Sequence, residues 1–244
     1  MRVEWFNGSR PETKFAPNFK VPIGIGVDGT QDFVKRMTDY VLRVERDIIE
    51  KEALVSEVPK NGIDPYKHTQ QWKQHNILDD VSGLGGEHLT RFPEDPVIEE
   101  LFNLVRRNYL EHLANLRFPR IKVYIHGWAN VLRDGEWISK HTHMSHNQAY
   151  LAATYYLTTN DTSLYMDNPL NPGAVESGDI IGISTEARKL VFFPSFLPHW
   201  SDATHELRIS LAFDIVTEDT MKGNPWRPHR LLDDPNTMPG IDGK

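Results

Sequence analysis

Apolar residues recur every three or four positions in two early stretches of the chain and every second position in several later ones, and this change of period divides the molecule. Between Asp32 and about Leu54, residues Phe33, Met37, Tyr40, Val41, Val44, Ile48 and Ile49 fall on one face of a predicted helix. A second helix is predicted from about Asp95 to Leu116. Asp95 caps it, Pro96 occupies its first turn, and Leu101, Leu104, Val105, Leu110, Leu113 and Leu116 form its apolar stripe. From Arg120 onward β-branched and aromatic residues take over, and strands are predicted over 122–132, 150–157, 179–183, 189–193 and 207–216. Turn-rich segments at 133–135, 159–161 and 168–178 separate them.

Residues 1 to about 30 read as irregular or short strands broken by Pro11, Pro17, Pro22, Gly24, Gly26 and Gly29, and residues 56–94 read as loop. Helices followed by antiparallel strands make an α+β domain in which N-terminal helices back a strand-rich core. One domain over 1–244 is expected, with a helical and loop part (1–119), a β core (120–216) and an extended tail (217–244).

Composition narrows the chemistry by exclusion. The chain has 244 residues and a formal charge of −7, with no dense basic run, so neither nucleic acid nor an anionic membrane is expected as a partner. It contains no cysteine, which removes disulfides, thiolate metal sites and thiol catalysis. The start, Met1-Arg2-Val3-Glu4-Trp5, lacks the apolar core of a signal peptide, and no apolar run approaches the length of a membrane span. A cytoplasmic protein is the expectation. A homodimer is compatible with the sequence, which does not specify the oligomeric state.

Two short stretches carry the candidate chemistry. Gly135-Glu136-Trp137-Ile138-Ser139-Lys140-His141-Thr142-His143 ends in a His-x-His pair, whose two side chains project to one face of an extended segment. Phe192-Phe193-Pro194-Ser195-Phe196-Leu197-Pro198-His199 places a third His after an apolar strand, and Arg208-Ile209-Ser210 follows nine residues later. A single His in a strand-rich domain is more often structural than a ligand. Three of them at strand ends that an antiparallel barrel can bring together point to a metal site of His141, His143 and His199. A zinc hydrolase would accept three imidazoles and water, yet gives no reason for a buried Arg on the next strand. Arg208 shares strand parity with Ser210, Ala212 and Asp214, opposite Ile209, Leu211 and Phe213, so it faces either a lumen or solvent. Among the other His residues, His126 reads as a core or pocket wall and His146 as a neighbour of the site.

At these residues the chain resembles the double-stranded β-helix (jelly-roll) oxygenases that use iron(II) and 2-oxoglutarate, in particular a prolyl-hydroxylase-like branch known from marine bacteria and phages. Gly135 with His141 six residues on resembles the approach to the family's His-x-Asp motif. Tyr155-Tyr156-Leu157 resembles the strand that follows, Leu190 to His199 the segment carrying the distal ligand, and Arg208-x-Ser210 the pair that binds the far carboxylate of 2-oxoglutarate. The resemblance covers about residues 120–216. It implies Fe(2+), 2-oxoglutarate and O2 as cofactor and co-substrates. Arg208 and Ser210 would anchor the far carboxylate, Tyr156 is a candidate to share that anchor, and Asn130 and Trp128 would line the pocket. It implies a hydroxylase acting on a small-molecule or side-chain substrate, with residues 68–88 as a lid.

The family places a carboxylate where this chain has His143. Three arrangements are open: a three-imidazole site of His141, His143 and His199, a carboxylate supplied by Asp161 or Asp167, or a shifted frame with His143 as first ligand, in which Ser145 coordinates poorly and its position is left open. Spacing from Gly135 and back from Tyr156 favours the first. A cupin-type dioxygenase or isomerase also fits Gly135-(x)5-His141-x-His143, but its expected Glu falls on Asn147 or Gln148 and it leaves Arg208-x-Ser210 without a purpose. A non-catalytic binding barrel is the remaining alternative.

Overall fold

The computed structural model describes residues 1–7, 20–55, 74–76, 95–143, 149–168, 180–223 and 230–236. In chain order the elements are β1 (Arg2–Asn7), β2 (Lys20–Val27), α1 (Gln31–Val55), β3 (Gln74–Asn76), α2 (Pro96–Leu116), β4 (Val123–Leu132), β5 (Leu151–Tyr156), β6 (Ser163–Asp167), β7 (Ile180–Ser184), β8 (Lys189–Pro194), β9 (His199–Ser201), β10 (Arg208–Thr217), α3 (Glu218–Gly223) and β11 (Arg230–Asp233). The strands make two antiparallel sheets. The larger has the order β1-β2-β8-β5-β10-β4-β11, with β3 also paired to β4, and the smaller has the order β7-β6-β9.

Local sequence explains where the helices begin and stop. The Phe33 amide donates to Thr30 Oγ1 at 3.0 Å, so α1 starts one residue before the predicted Asp32. Asp95 accepts from the Val97 amide at 3.0 Å, and Arg117 in the left-handed region (φ 55°) closes α2 by donating to the Ala114 carbonyl.

Two-residue alternation then sorts the large sheet into faces. Ile125, Ala129 and Val131 of β4, Ala153 and Tyr155 of β5, Leu190 and Phe192 of β8, and Ile209, Leu211, Phe213 and Ile215 of β10 pack on α1 and α2. The opposite face of the same strands carries Ala152 and Tyr156 of β5 with Val191 and Phe193 of β8, which pack on Leu164 and Met166 of β6 and Ile183 of β7. β5 and β8 therefore pack on a helical layer on one side and the small sheet on the other, while the inward residues Trp128 and Asn130 of β4 and Arg208, Ser210 and Ala212 of β10 line a cavity.

The expected order of helices and strands matches these elements to within a residue or two. Three differences stand out. β6 and β9 were not predicted, nor was β3, which falls in the stretch 56–94 read as loop. The stretch read as irregular or short strands forms β1 and β2, which extend the core sheet through β2–β8 pairing. The tail expected to be extended over 217–244 contains α3 and β11 in its described part, and β11 is fixed by Asp233, which is fully buried and accepts from Arg120 at 2.6 and 2.9 Å. The expected lid over 68–88 lies outside the described residues except for β3.

No helix among the described residues is long and apolar enough to cross a membrane. Gly24 lets β2 approach α2, because a Cβ there would lie 2.5 Å from His112 Nδ1. His112 itself is buried, stacked on Phe192, and its Nδ1 has no hydrogen-bond partner. Burial lowers its pKa to about 4, so the folded state holds the ring neutral while the unfolded chain protonates near pH 6.5. Acidification from pH 7 to 4 is therefore expected to cost the wild type about 3 kcal/mol that a His112→Gln variant does not lose. Urea unfolding of both proteins across that range measures the difference.

Candidate metal centre

The turn at Asp134 and Gly135 delivers the His-x-His pair. Gly135 sits at φ 77°, a left-handed conformation that favours glycine, and its amide donates to the Thr204 carbonyl at 2.8 Å. Arg133 beside it is held by a two-bonded ion pair to the buried Glu45 of α1, at 2.7 and 2.8 Å. The chain then runs antiparallel to β9. His141 and His199 exchange main-chain hydrogen bonds of 3.0 and 2.9 Å, and the His143 amide donates to the Ser195 carbonyl at 3.0 Å. Two of the three imidazoles are thus cross-strand partners, and the third is two residues along on the same face.

The rings converge. Their ligand nitrogens all lie within 4.8 Å of one another, and His141 Nε2 is 3.3 Å from His143 Nε2. Each Nδ1 is used elsewhere: His141 with the Ser139 carbonyl (2.7 Å), His199 with the Leu197 carbonyl (2.9 Å) and His143 with the Asp214 carboxylate. A carbonyl or carboxylate only accepts, so each Nδ1 carries the proton and each Nε2 presents a lone pair inward. Three lone pairs aimed at one point repel unless a cation sits between them. Nitrogens about 2.0–2.1 Å from a tetrahedral or octahedral ion stand about 3 Å apart, close to the 3.3 Å between His141 Nε2 and His143 Nε2. Burial, reinforced by His143, lowers the pKa of His141. Burial together with both neighbouring rings holds that of His199 well below the ordinary value. The donor set fits a divalent metal of the imidazole-binding class.

Neither carboxylate considered as a replacement ligand joins the rings. Asp161 is exposed, and Asp167 is buried against Lys140, whose ammonium lies 4.5 Å from the centre of the Trp200 ring. Ser145 and His146 lie outside the described residues.

The three imidazoles open into one cavity, which Arg208, Ser210 and Tyr156 also line. The strand parity that left Arg208 facing either lumen or solvent resolves to the lumen. Asn130, Ser210 and Tyr156 form one row across β4, β10 and β5, in register, and Arg208 is the next inward residue of β10. Arg208 is 2% exposed and is the only charged side chain among the described residues lining the cavity. Its Nη1 donates to Ser201 Oγ at 3.2 Å and its guanidinium lies 5.5 Å from the centre of the Tyr156 ring, while its Nε has no partner. The Tyr156 hydroxyl, near Thr154, Thr185 and Arg208, also lacks a hydrogen bond of good geometry, and burial raises its pKa. The Trp128 Nε1 is a third buried donor without a partner. Trp128 packs between His126 and His143, with ring centres 5.7 Å from each.

Sequence reasoning missed Ser201, Thr154 and Asp214. Ser201 shares strand parity with His199 and Asp214 with Arg208, a signal that carries no meaning until the cross-strand neighbour is known.

No protein-family model matches the chain, and no curated protein matches it. Among solved structures, a prolyl-4-hydroxylase from Pseudomonas putida superposes with a TM-score of 0.51 at 14% identity, over 80% of this chain and 93% of its own. A non-heme monooxygenase, ThoJ, in complex with nickel gives 0.47 at 10% identity, covering 80% of this chain and 74% of that one. An oxidoreductase of the 2OG-Fe(II) oxygenase family from Burkholderia pseudomallei gives 0.42 at 14%, covering 52% and 60%. At these identities the likeness to the first is one of fold, and the other two are weaker.

A guanidinium buried without an anion is costly, and a well-packed apolar side chain in its place is commonly stabilising. The Arg208→Met variant is expected to unfold, in the absence of any dicarboxylate, about 1–3 kcal/mol less readily than the wild type. Denaturant titration of the two ligand-free proteins checks it.

Proposed function

We propose that this protein is an iron(II)- and 2-oxoglutarate-dependent oxygenase of the double-stranded β-helix type, hydroxylating a C–H bond of its substrate with release of succinate and CO2. One observation carries the reading. The buried, anion-seeking guanidinium of Arg208 opens into the same cavity as three inward-facing Nε2 lone pairs. A metal at the imidazoles and a cation at the far end are complementary to a ligand with a chelating keto acid at one end and a carboxylate at the other. The strand order supports it. The central strands of the large sheet, β8-β5-β10-β4, face a small sheet of β7-β6-β9 with the His141 segment paired beside β9.

On this reading His141, His143 and His199 hold iron, which with 2-oxoglutarate and oxygen supplies oxidative decarboxylation and hydrogen removal from an unactivated C–H bond. The chain's own residues orient and shield. Arg208 takes the far carboxylate in a planar fork steadied by Ser201, and the partnerless Tyr156 hydroxyl donates to the same group. Ser210 and Asn130 line the path between the two ends. Phe193 places its ring edge against His199, 4.8 Å between centres, and keeps water from the back of that ligand. A cupin-type site without a dicarboxylate would leave the charge of Arg208 unanswered.

The test is uncoupled turnover. Iron-loaded protein with 2-oxoglutarate, oxygen and ascorbate is expected to release succinate without added substrate, and His199→Ala to release none. A wild type that binds iron but forms no succinate above the variant contradicts the proposal.

A further inference from the structure

The three imidazoles are not equivalent. His141 and His199 give their Nδ1 protons to neutral main-chain carbonyls, whereas His143 gives its proton to a carboxylate, Asp214. Asp214 is 1% exposed and stands on β10 six residues after Arg208, on the same inward face, in register with His126 and Ala152. It touches the side of the His143 ring away from Nε2 and does not belong to the converging donor atoms.

A buried carboxylate is stabilised by positive charge close by. Three neutral imidazoles around a divalent cation supply that charge across the ring. A carboxylate acceptor also makes the opposite nitrogen a stronger donor to a metal. The electrostatics of the whole pocket close on the same point. A divalent ion with Arg208 and Asp214 carries two net positive charges, which a dianionic dicarboxylate neutralises. A neutral residue at 214 would leave one positive charge buried and unanswered.

We propose that Asp214 is the anionic member of this metal site, acting as a positioning residue through His143 instead of binding the metal itself. His143 supplies the ligand atom and Asp214 the negative charge, a division between two residues of what a single ligating carboxylate does. The proposal rests on the assignment of the three imidazoles to one metal.

Cobalt(II) is the probe. Wild-type protein is expected to bind one equivalent with a ligand-field visible spectrum. Asp214→Asn, whose amide oxygen still accepts the Nδ1 proton, is expected to bind cobalt 10–100-fold more weakly by competition dialysis. Wild type that binds no cobalt overturns the metal site itself. Wild type that binds it while Asp214→Asn binds within threefold overturns the role of Asp214 alone. Should the variant not fold, ¹⁵N–¹H NMR of the zinc-loaded wild type decides. One His Nδ1 proton is expected well downfield of the other two, and three alike would overturn the proposal.

Discussion

β10 is hydrogen-bonded along both edges, to β4 and to β5, so each of its side chains has only two directions in which to go. Ile209, Leu211, Phe213 and Ile215 take the helical side, and this packing sets the register of the entire strand. The alternate residues are then obliged to enter the space between the sheets whatever their polarity. Arg208 and Asp214 are buried charges because the apolar half of their strand is fixed, and slipping the register by one residue would bury neither correctly. The site is in this sense the reverse side of the hydrophobic core.

That arrangement places opposite charges at two ends of the inward face of β10, with Ser210 and Ala212 between them; Arg208 lines the cavity, and Asp214 lies behind the His143 ring. Neither charge is neutralised by the other through direct contact. Arg208 meets Ser201 and the Tyr156 ring, and Asp214 meets His143. Such an interior costs stability until ligands arrive, which is the usual relation between a binding site and the fold that carries it. The helices behind β10, the His112 contact at Gly24 and the Arg120–Asp233 pair that fixes β11 contribute the rigidity with which the charges are held.

Much of this was legible in the residues themselves. Helical period found α1 and α2, and alternation found β4, β5, β7, β8 and β10. The parity of His141 with His143, and of Arg208 with Ser210, anticipated which side chains share a face. What depends on contacts between distant segments was not legible. β9, three residues long, has too few positions to establish a period. β2 joins the sheet through pairing with β8, far along the chain. From the residues alone, Asp161 and Asp167 were the carboxylates open to close the set. The carboxylate that reaches the pair is Asp214, 71 residues from His143, and it arrives behind the ring.

The central claim is that Arg208 and the three imidazoles are opposite ends of one dicarboxylate site. Calorimetric titration of the cobalt-loaded protein with 2-oxoglutarate and with 2-oxobutyrate, which has the same keto acid but no second carboxylate, tests it most directly. The account predicts that 2-oxoglutarate binds at least about tenfold more tightly, consistent with a charge-assisted contact of roughly 1.5–3 kcal/mol, and that Arg208→Met erases the difference. Equal affinity of the two keto acids for the wild type would contradict it.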